Sequence, residues 1–415
     1  MNRVAFLALA RRADAMLRYA LLPVALPLVV LAACVARALT MARRAAGKRP
    51  RNMWGPVPLV SNIYAAKALR RYGYRTASVV CEGDRISAPT KFDLYLPTSV
   101  PSGTLKDILR YAYFVHSLFA FDVMWFLFVG GFLGLTPLRR IEMQLLHLAG
   151  KRMILMPFGS DIAIPEYLGP FRDSMMSVDP ALAARAPSVR RNVLYYSRHA
   201  DFVIRNFQVG FLPRHDAFVP NFIAIDMELW SPNRADAARA KPPDAEIVVV
   251  HASNHRAIKG TDEIIAAVES LRDEGVAVRM SLIEGQSNDA VRAAVQGADV
   301  VVEQLICGYA MFGVEGMAAG KPVLSNMEWV PPEMRAGSCI ADCPIVSTTK
   351  ETIKENLRAI VTDAEMRRRL GAASRQYVEK HHSLESVGAI FDAIVRHVWN
   401  DEALPSFIRK LPASA

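Results

Sequence analysis

The sequence predicts an α/β protein built as two parallel-sheet lobes facing a cleft, with a hydrophobic helix at the amino terminus. Three observations lead there. Apolar β-branched runs alternate with segments of helical period from about residue 246 to residue 325. The same alternation, less regular, occupies residues 54–158. A polar, proline-bearing stretch, SPNRADAARAKPPDAE at 231–246, separates the two halves. Repeated strand-helix-strand order implies parallel sheets with right-handed crossovers, and 415 residues suit two domains of ordinary size.

The amino-terminal segment carries almost all of the chain's net charge of +10. Residues 1–51 hold ten Lys or Arg against Asp14 alone, which makes +9, so the other 364 residues sum to about +1. A nucleic-acid surface on the body is therefore not expected, because a basic stripe would continue into the folded lobes. Between Arg18 and Arg37 lie eighteen uncharged residues, YALLPVALPLVVLAACVA. At 1.5 Å per residue they would cross about 27 Å of hydrocarbon, with prolines at 23 and 27 kinking the run. The length and flanking arginines predict a membrane anchor. A cleaved signal peptide ending near Ala36-Arg37-Ala38 and an interfacial or buried helix are the alternatives. Six basic residues follow the run and four precede it, which places the body on the cytoplasmic side.

In the first half, LVSNIYAAKALRRYG reads as a helix stopped by Gly73, TASVVCE as a strand, and PLRRIEMQLLHLAG as a helix leading through Gly150 into the strand RMILMPF. The stretch at 111–135 is too interrupted by His116 and Asp122 for a second span. It reads as a helix before Asp122 and a buried strand after it, with lipid contact the alternative and His116 as a core histidine. The loop Gly159-Ser160-Asp161 falls at the carboxyl end of RMILMPF.

In the second half, EIVVVH is a strand, and TDEIIAAVESLRDE is a helix with Ile264, Ile265, Val268 and Leu271 on one face. VAVRMSLI is the next strand, NDAVRAAVQ a helix, and ADVVV another strand. Residues 298–325 then read as strand, glycine-bearing turn, short helix and strand, with Glu315 in the first turn of a helix that follows Gly313. Turns of that kind at the carboxyl edge of a parallel sheet are where α/β proteins hold phosphorylated ligands.

Other chemistries find little support. The five cysteines show no CxxC or paired Cys/His spacing, and buried thiols in a reducing compartment are expected. No Asp-x-Asp pair, GxGxxG, GxxxxGK[ST] or GxSxG occurs, so no metal or other cofactor is expected. The adjacent His381 and His382 suit a helix cap or a domain contact.

Three segments carry a family resemblance: HASNHRAIKGTDEIIAAV at 251–268, EGQSNDAVRAAVQGADVVVEQL at 284–305, and CGYAMFGVEGMAAGKPVLS at 307–325. FGSDI at 158–162, VPNFIAIDMELWSP at 219–232 and HHSLESV at 381–387 support it. The chain resembles the GT-B glycosyltransferases of the retaining family-four (group 1) kind from about residue 54 to residue 397. The resemblance implies GT-B architecture, two Rossmann-like lobes. Residues 1–50 would be the anchor and its basic flank, 51–230 the acceptor lobe, 231–383 the nucleotide-sugar lobe, and 384–415 a helix and tail packing back on the first lobe. It implies that Lys259, with Arg256 as second cation, meets the donor diphosphate, and that Glu315 holds the ribose. Asn254 stands where the family's usual arginine lies. Gly308, Tyr309, Phe312, Gly313 and Glu284 would complete the donor site. Trp54, Gly55 and the Gly159-Ser160-Asp161 loop would face the acceptor. Cys307 replaces a second glutamate, and Trp125–Phe128 replace a histidine-bearing segment. The implied activity is transfer of a sugar from a nucleotide-sugar to a lipid-linked or growing surface glycan, with retention, at the inner membrane. Membrane lipids would bind the amino-terminal segment. A non-catalytic glycan-binding or scaffold protein is the alternative, and a sugar-nucleotide epimerase on the same fold fits the hydrophobic amino terminus less well.

Overall fold

The computed structural model describes residues 3–82, 91–232, 245–336 and 338–408, so most of the 231–246 linker lies outside the described residues. Two helices open the chain, α1 (Arg3–Ala20) and α2 (Leu22–Ala45). Pro23 falls in the first turn of α2, where it is tolerated, and Pro27 lies inside the helix.

The first lobe follows as β1 (Asn52–Trp54), α3 (Val60–Arg71), β2 (Thr76–Val80), β3 (Leu94–Tyr95), α4 (Gly103–Ala120), β4 (Val123–Phe126), α5 (Glu142–Leu148), β5 (Arg152–Leu155), α6 (Arg172–Val178), α7 (Leu182–His199), β6 (Phe202–Arg205) and β7 (Ala217–Phe218). Its seven parallel strands run in the order β3-β2-β1-β4-β5-β6-β7. The second lobe comprises β8 (Ile247–Ser253), α8 (Arg256–Lys259), α9 (Thr261–Asp273), β9 (Val278–Glu284), α10 (Asn288–Gln296), β10 (Val300–Val302), α11 (Met311–Ala318), β11 (Val323–Ser325), α12 (Pro332–Arg335), β12 (Val346–Ser347), α13 (Ile353–Thr362) and α14 (Ala364–His381), and α15 (Leu384–Asn400) follows it. Its five strands are also parallel, in the order β12-β11-β10-β8-β9.

Most elements lie where the periodicity places them, because each is defined by a local apolar pattern and its punctuation. Asn288–Gln296 is bounded by the Ser287 cap, whose side chain accepts from Ala290 N, and by Gly297. Two readings change. PLRRIEMQLLHLAG is a 3-10 turn at Pro137–Arg140 followed by α5. His116 is exposed on α4 instead of lying in the core, since the buried face there is Tyr111, Phe114, Ser117 and Leu118.

The first-lobe sheet is covered on both faces. Met53, Met124, Met153 and Val203 pack under α4, α5 and α7, whereas Trp125, Ile154 and Ile204 pack against α3 and α15. The crossings between lobes lie side by side. Ile225 bridges to Ser383, its N–H donates to the His382 carbonyl at 2.8 Å, and Asn221 Nδ2 donates to the His381 carbonyl at 2.8 Å. Both histidines thus sit at a contact between lobes. α15 then returns to the first lobe and packs on α3, with Tyr72 Oη donating to the Glu385 carbonyl at 2.9 Å.

Candidate functional site

In the second lobe the chain leaves β8 on one side and enters β10 on the other, so the loops after these strands diverge at the carboxyl edge. That switch point is where open α/β sheets take ligands. The loop after β8 carries α8, a single turn ended by Gly260 at φ 72°. A side chain at 260 would be strained there, and its Cβ would stand 3.0 Å from Leu305 Cβ. α9 starts at the next residue, so Lys259 is held beside a helix amino terminus.

Lys259 Nζ donates to Glu303 Oε1 at 2.8 Å and lies 5.5 Å from the centre of the Phe312 ring. Glu303 stands at the end of β10 with no solvent exposure, and its other oxygen accepts the Gly313 N–H. Sequence reasoning missed this residue. Its signal is a lone carboxylate ending the all-apolar run VVVE at the switch point. Glu315, 2% exposed, accepts from Asn288 Nδ2 at 2.9 Å, a second partner the sequence did not disclose. Burial pushes the Glu315 carboxyl up to about 8; Asn288 and Lys259 pull it down and Glu303 adds to the rise. Arg256 forms a two-oxygen contact with Glu284, Nε to Oε1 at 2.8 Å and Nη2 to Oε2 at 3.3 Å, and reaches Asp262 at 2.6 Å. Both cations are therefore already matched to carboxylates.

Beneath them, buried His251 bridges the Val302 carbonyl at 2.8 Å and Thr261 Oγ1 at 2.9 Å, tying β8 to β10 and α9. Burial pushes that imidazole down to about 4, so it is a neutral brace.

Other expected residues stand elsewhere. α11 begins at Met311, so Gly313 is inside the helix and Glu315 falls beyond its first turn. The helix starts early because Glu303 captures the Gly313 N–H. Gly308 is buried, with Trp329 Cδ1 3.2 Å from where its Cβ would be, so it serves close packing. Tyr309 is fully buried between the lobes, 5.2 Å from the Phe207 ring, and does not wall a donor pocket. Cys307 meets Met175 of α6 at 3.7 Å, so the first lobe covers the position of the missing glutamate.

On the first lobe, Trp54 does not face the cleft. It is 2% exposed and stacks on Trp125 at 4.2 Å in the core. Gly55 is buried too, and a Cβ there would come within 2.1 Å of the Val79 carbonyl oxygen. Asp161 is buried and spends its carboxylate on the N–H groups of Phe128, Phe158 and Gly159, so it shapes the loop. Ser160 and Phe158 are exposed at its tip. Among the described residues, no group of three or more His, Cys, Asp or Glu is placed to hold a metal.

With two parallel-sheet lobes set carboxyl edge to carboxyl edge, comparison with solved structures decides the fold. Sucrose-phosphate synthase from Thermosynechococcus elongatus superposes with a TM-score of 0.55 at 14% identity, covering 86% of this chain and 100% of that one. HepE from Anabaena in complex with UDP gives 0.53 at 12%, covering 83% and 99%. A glycosyltransferase from Rickettsia africae gives 0.52 at 11%, covering 85% and 98%. The fold is GT-B. No protein-family profile and no curated protein sequence matches the chain significantly. In this GT-B chain the β8–β10 switch point, with Lys259, Glu303 and Glu315, lies on the lobe whose carboxyl edge meets Phe207 and Met175 of the other.

Proposed function

We propose that this protein is a glycosyltransferase that moves a sugar from a nucleotide-sugar to a lipid-linked or growing cell-surface glycan, with retention, at the cytoplasmic face of the inner membrane. The observation that carries the reading is the Lys259–Glu303–Glu315 group at the second lobe's switch point, beside the amino terminus of α9. The fold shared with HepE, whose solved structures contain UDP and UDP-glucose, supports a uridine nucleotide as the first donor to test.

In this reading Lys259 neutralises the charge that develops on the leaving diphosphate, aided by Arg256 and the α9 amino terminus. Glu315, once ionised, accepts hydrogen bonds from the ribose hydroxyls. The bond between the anomeric carbon and the diphosphate oxygen breaks. The acceptor oxygen bonds to that carbon from the same face, and its proton passes to the departing diphosphate, so no protein base is required. The acceptor side in this reading is the Gly159-Ser160-Asp161 loop, where Ser160 is exposed beside exposed Phe158.

One feature favours a non-catalytic, glycan-binding reading. Glu303 and the Glu284–Asp262 pair already occupy both cations, so a diphosphate must displace carboxylates. Calorimetry on the full chain separates the two. The proposal expects UDP, GDP or one of their sugars to bind, and a Lys259→Ala, Glu315→Ala double substitution to abolish it. A folded wild type that binds no nucleotide would move the assignment to the non-catalytic reading.

A further inference from the structure

Helix α2 carries two apolar faces. Val29, Ala33, Ala36 and Thr40, no more than 2% exposed, pack against α4 and α5 of the first lobe. Val24, Leu28, Leu31, Val35 and Leu39, four, three, four and four residues apart, are 50–63% exposed. At 3.6 residues per turn the second stripe lies roughly 130° round the helix from the first. A surface helix of a soluble domain turns polar residues outward, whereas this one has no charge from Tyr19 to Ala36. More apolar surface gathers where α1 meets α4. Met16, Leu17, Leu105, Ile108 and Leu135 are exposed there, around Arg18, which pairs with Asp107 at 2.7 Å and donates to the Leu135 carbonyl at 3.1 Å.

We infer that this face docks the protein on an anionic bilayer surface with α2 lying along the headgroup boundary, so that the amino-terminal segment does not cross the membrane. Both ends of the helical segment formed by α1 and α2 are fastened to one lobe. At one end, Asp14 accepts from Ser102 Oγ at 2.6 Å and Gly103 N at 2.8 Å, capping α4, and Arg18 neutralises buried Asp107. At the other, Thr40 Oγ1 accepts from buried Lys151 at 2.7 Å, and Arg43 reaches buried Asp122 at 3.3 Å. A crossing helix would have to pull away from that lobe. Doing so would expose the face of Val29, Ala33 and Ala36 and take partners from buried Asp107 and Lys151.

The charge identifies the occupant. Residues 1–51 hold ten Lys or Arg against one acid; Arg18, Arg43, Arg44 and Arg51 are paired with carboxylates of the body, and Arg12, Arg37, Lys48 and Arg49 are exposed. The exposed cations attract anionic headgroups, whereas a second copy would set the same exposed cations against themselves.

The sugar-transfer reading does not enter the test, which needs no nucleotide. The full chain is floated with vesicles of phosphatidylcholine, alone and mixed with phosphatidylglycerol, at low and high salt. Binding to the mixed vesicles that salt weakens is expected, and a Leu28→Glu, Leu31→Glu variant should lose roughly tenfold or more of it while keeping the wild-type melting curve. Cys34 is exposed and near the middle of α2, so a nitroxide attached there reads depth. A label roughly 5–10 Å below the phosphates fits a helix lying flat, and a label at the bilayer centre would overturn the proposal in favour of a span. Absence of flotation, with a dimer in solution that the double substitution dissociates, would overturn it in favour of a second copy.

Discussion

Glu303 sits where an incoming diphosphate would want Lys259 for itself. Its carboxylate is fully buried and touches both Lys259 and the Gly313 N–H. A glutamine there keeps the size and can still accept from Gly313, but it removes the competing charge. If Lys259 meets the donor, Glu303→Gln should tighten UDP roughly tenfold in calorimetry, about the worth of one charge-assisted hydrogen bond. A weakened complex would show instead that Glu303 holds the lysine in its binding pose. Glu315 adds a pH dependence. Its carboxyl is pushed up to about 8 from an ordinary 4.5, so the folded state keeps a proton that the unfolded chain releases. That contribution to stability is full below about pH 4.5 and is lost as pH rises toward 8. Glu142, raised to about 7 by burial, acts in the same sense, so the difference between wild type and Glu315→Gln is the quantity to follow. Melting temperatures across that window should fall less steeply in the variant.

At the scale of elements, the hold of α2 on the body depends on a charge cluster at the start of β4 and β5. Asp122, with no exposure, accepts from Arg51 Nε and Nη2 at 2.9 Å and from Arg43 at 3.3 Å, with Lys151 at 3.7 Å. Burial pushes Lys151 down to about 8 even with Asp122 beside it. Asp122→Asn would leave three cations around a neutral amide. A loss of about 3–5 kcal/mol is expected in denaturant unfolding, the usual result of removing one partner of a buried ion pair. A loss below about 1 kcal/mol would mean that water already solvates the cluster.

Across the whole molecule, one apolar cluster runs from the first-lobe sheet through the crossings into the second lobe. Phe391 of α15 is fully buried, 5.0 Å from the Trp54 ring and 5.1 Å from Trp125. Phe171 and Trp329 meet across the cleft at 4.7 Å. The two lobes are therefore expected to unfold together. Phe391→Ala should cost about 3–5 kcal/mol and lower a single calorimetric transition. Two separated transitions, with only the first lobe affected, would refute this coupling.

Sequence alone determined the features set by neighbours along the chain: the alternation of strand and helix, the bounds of Asn288–Gln296, and the glycine turn that places Lys259 before α9. Periodicity and punctuation act within a few residues, so they can be read in order. The tertiary structure decided which way side chains at the sheet edges turn and what meets them. Trp54 joins Trp125 in the core, Tyr309 closes the seam between lobes, and Asp161 serves its own loop. Glu303 finds Lys259 from 44 residues away. Eighteen uncharged residues look the same to a linear reading whether they cross a bilayer or lie on a protein. The proposal that they lie on the protein comes from Asp107, Asp122 and Lys151, which the fold brings against the flanking Arg18, Arg43 and Thr40, because a buried charge needs its partner wherever the helix lies.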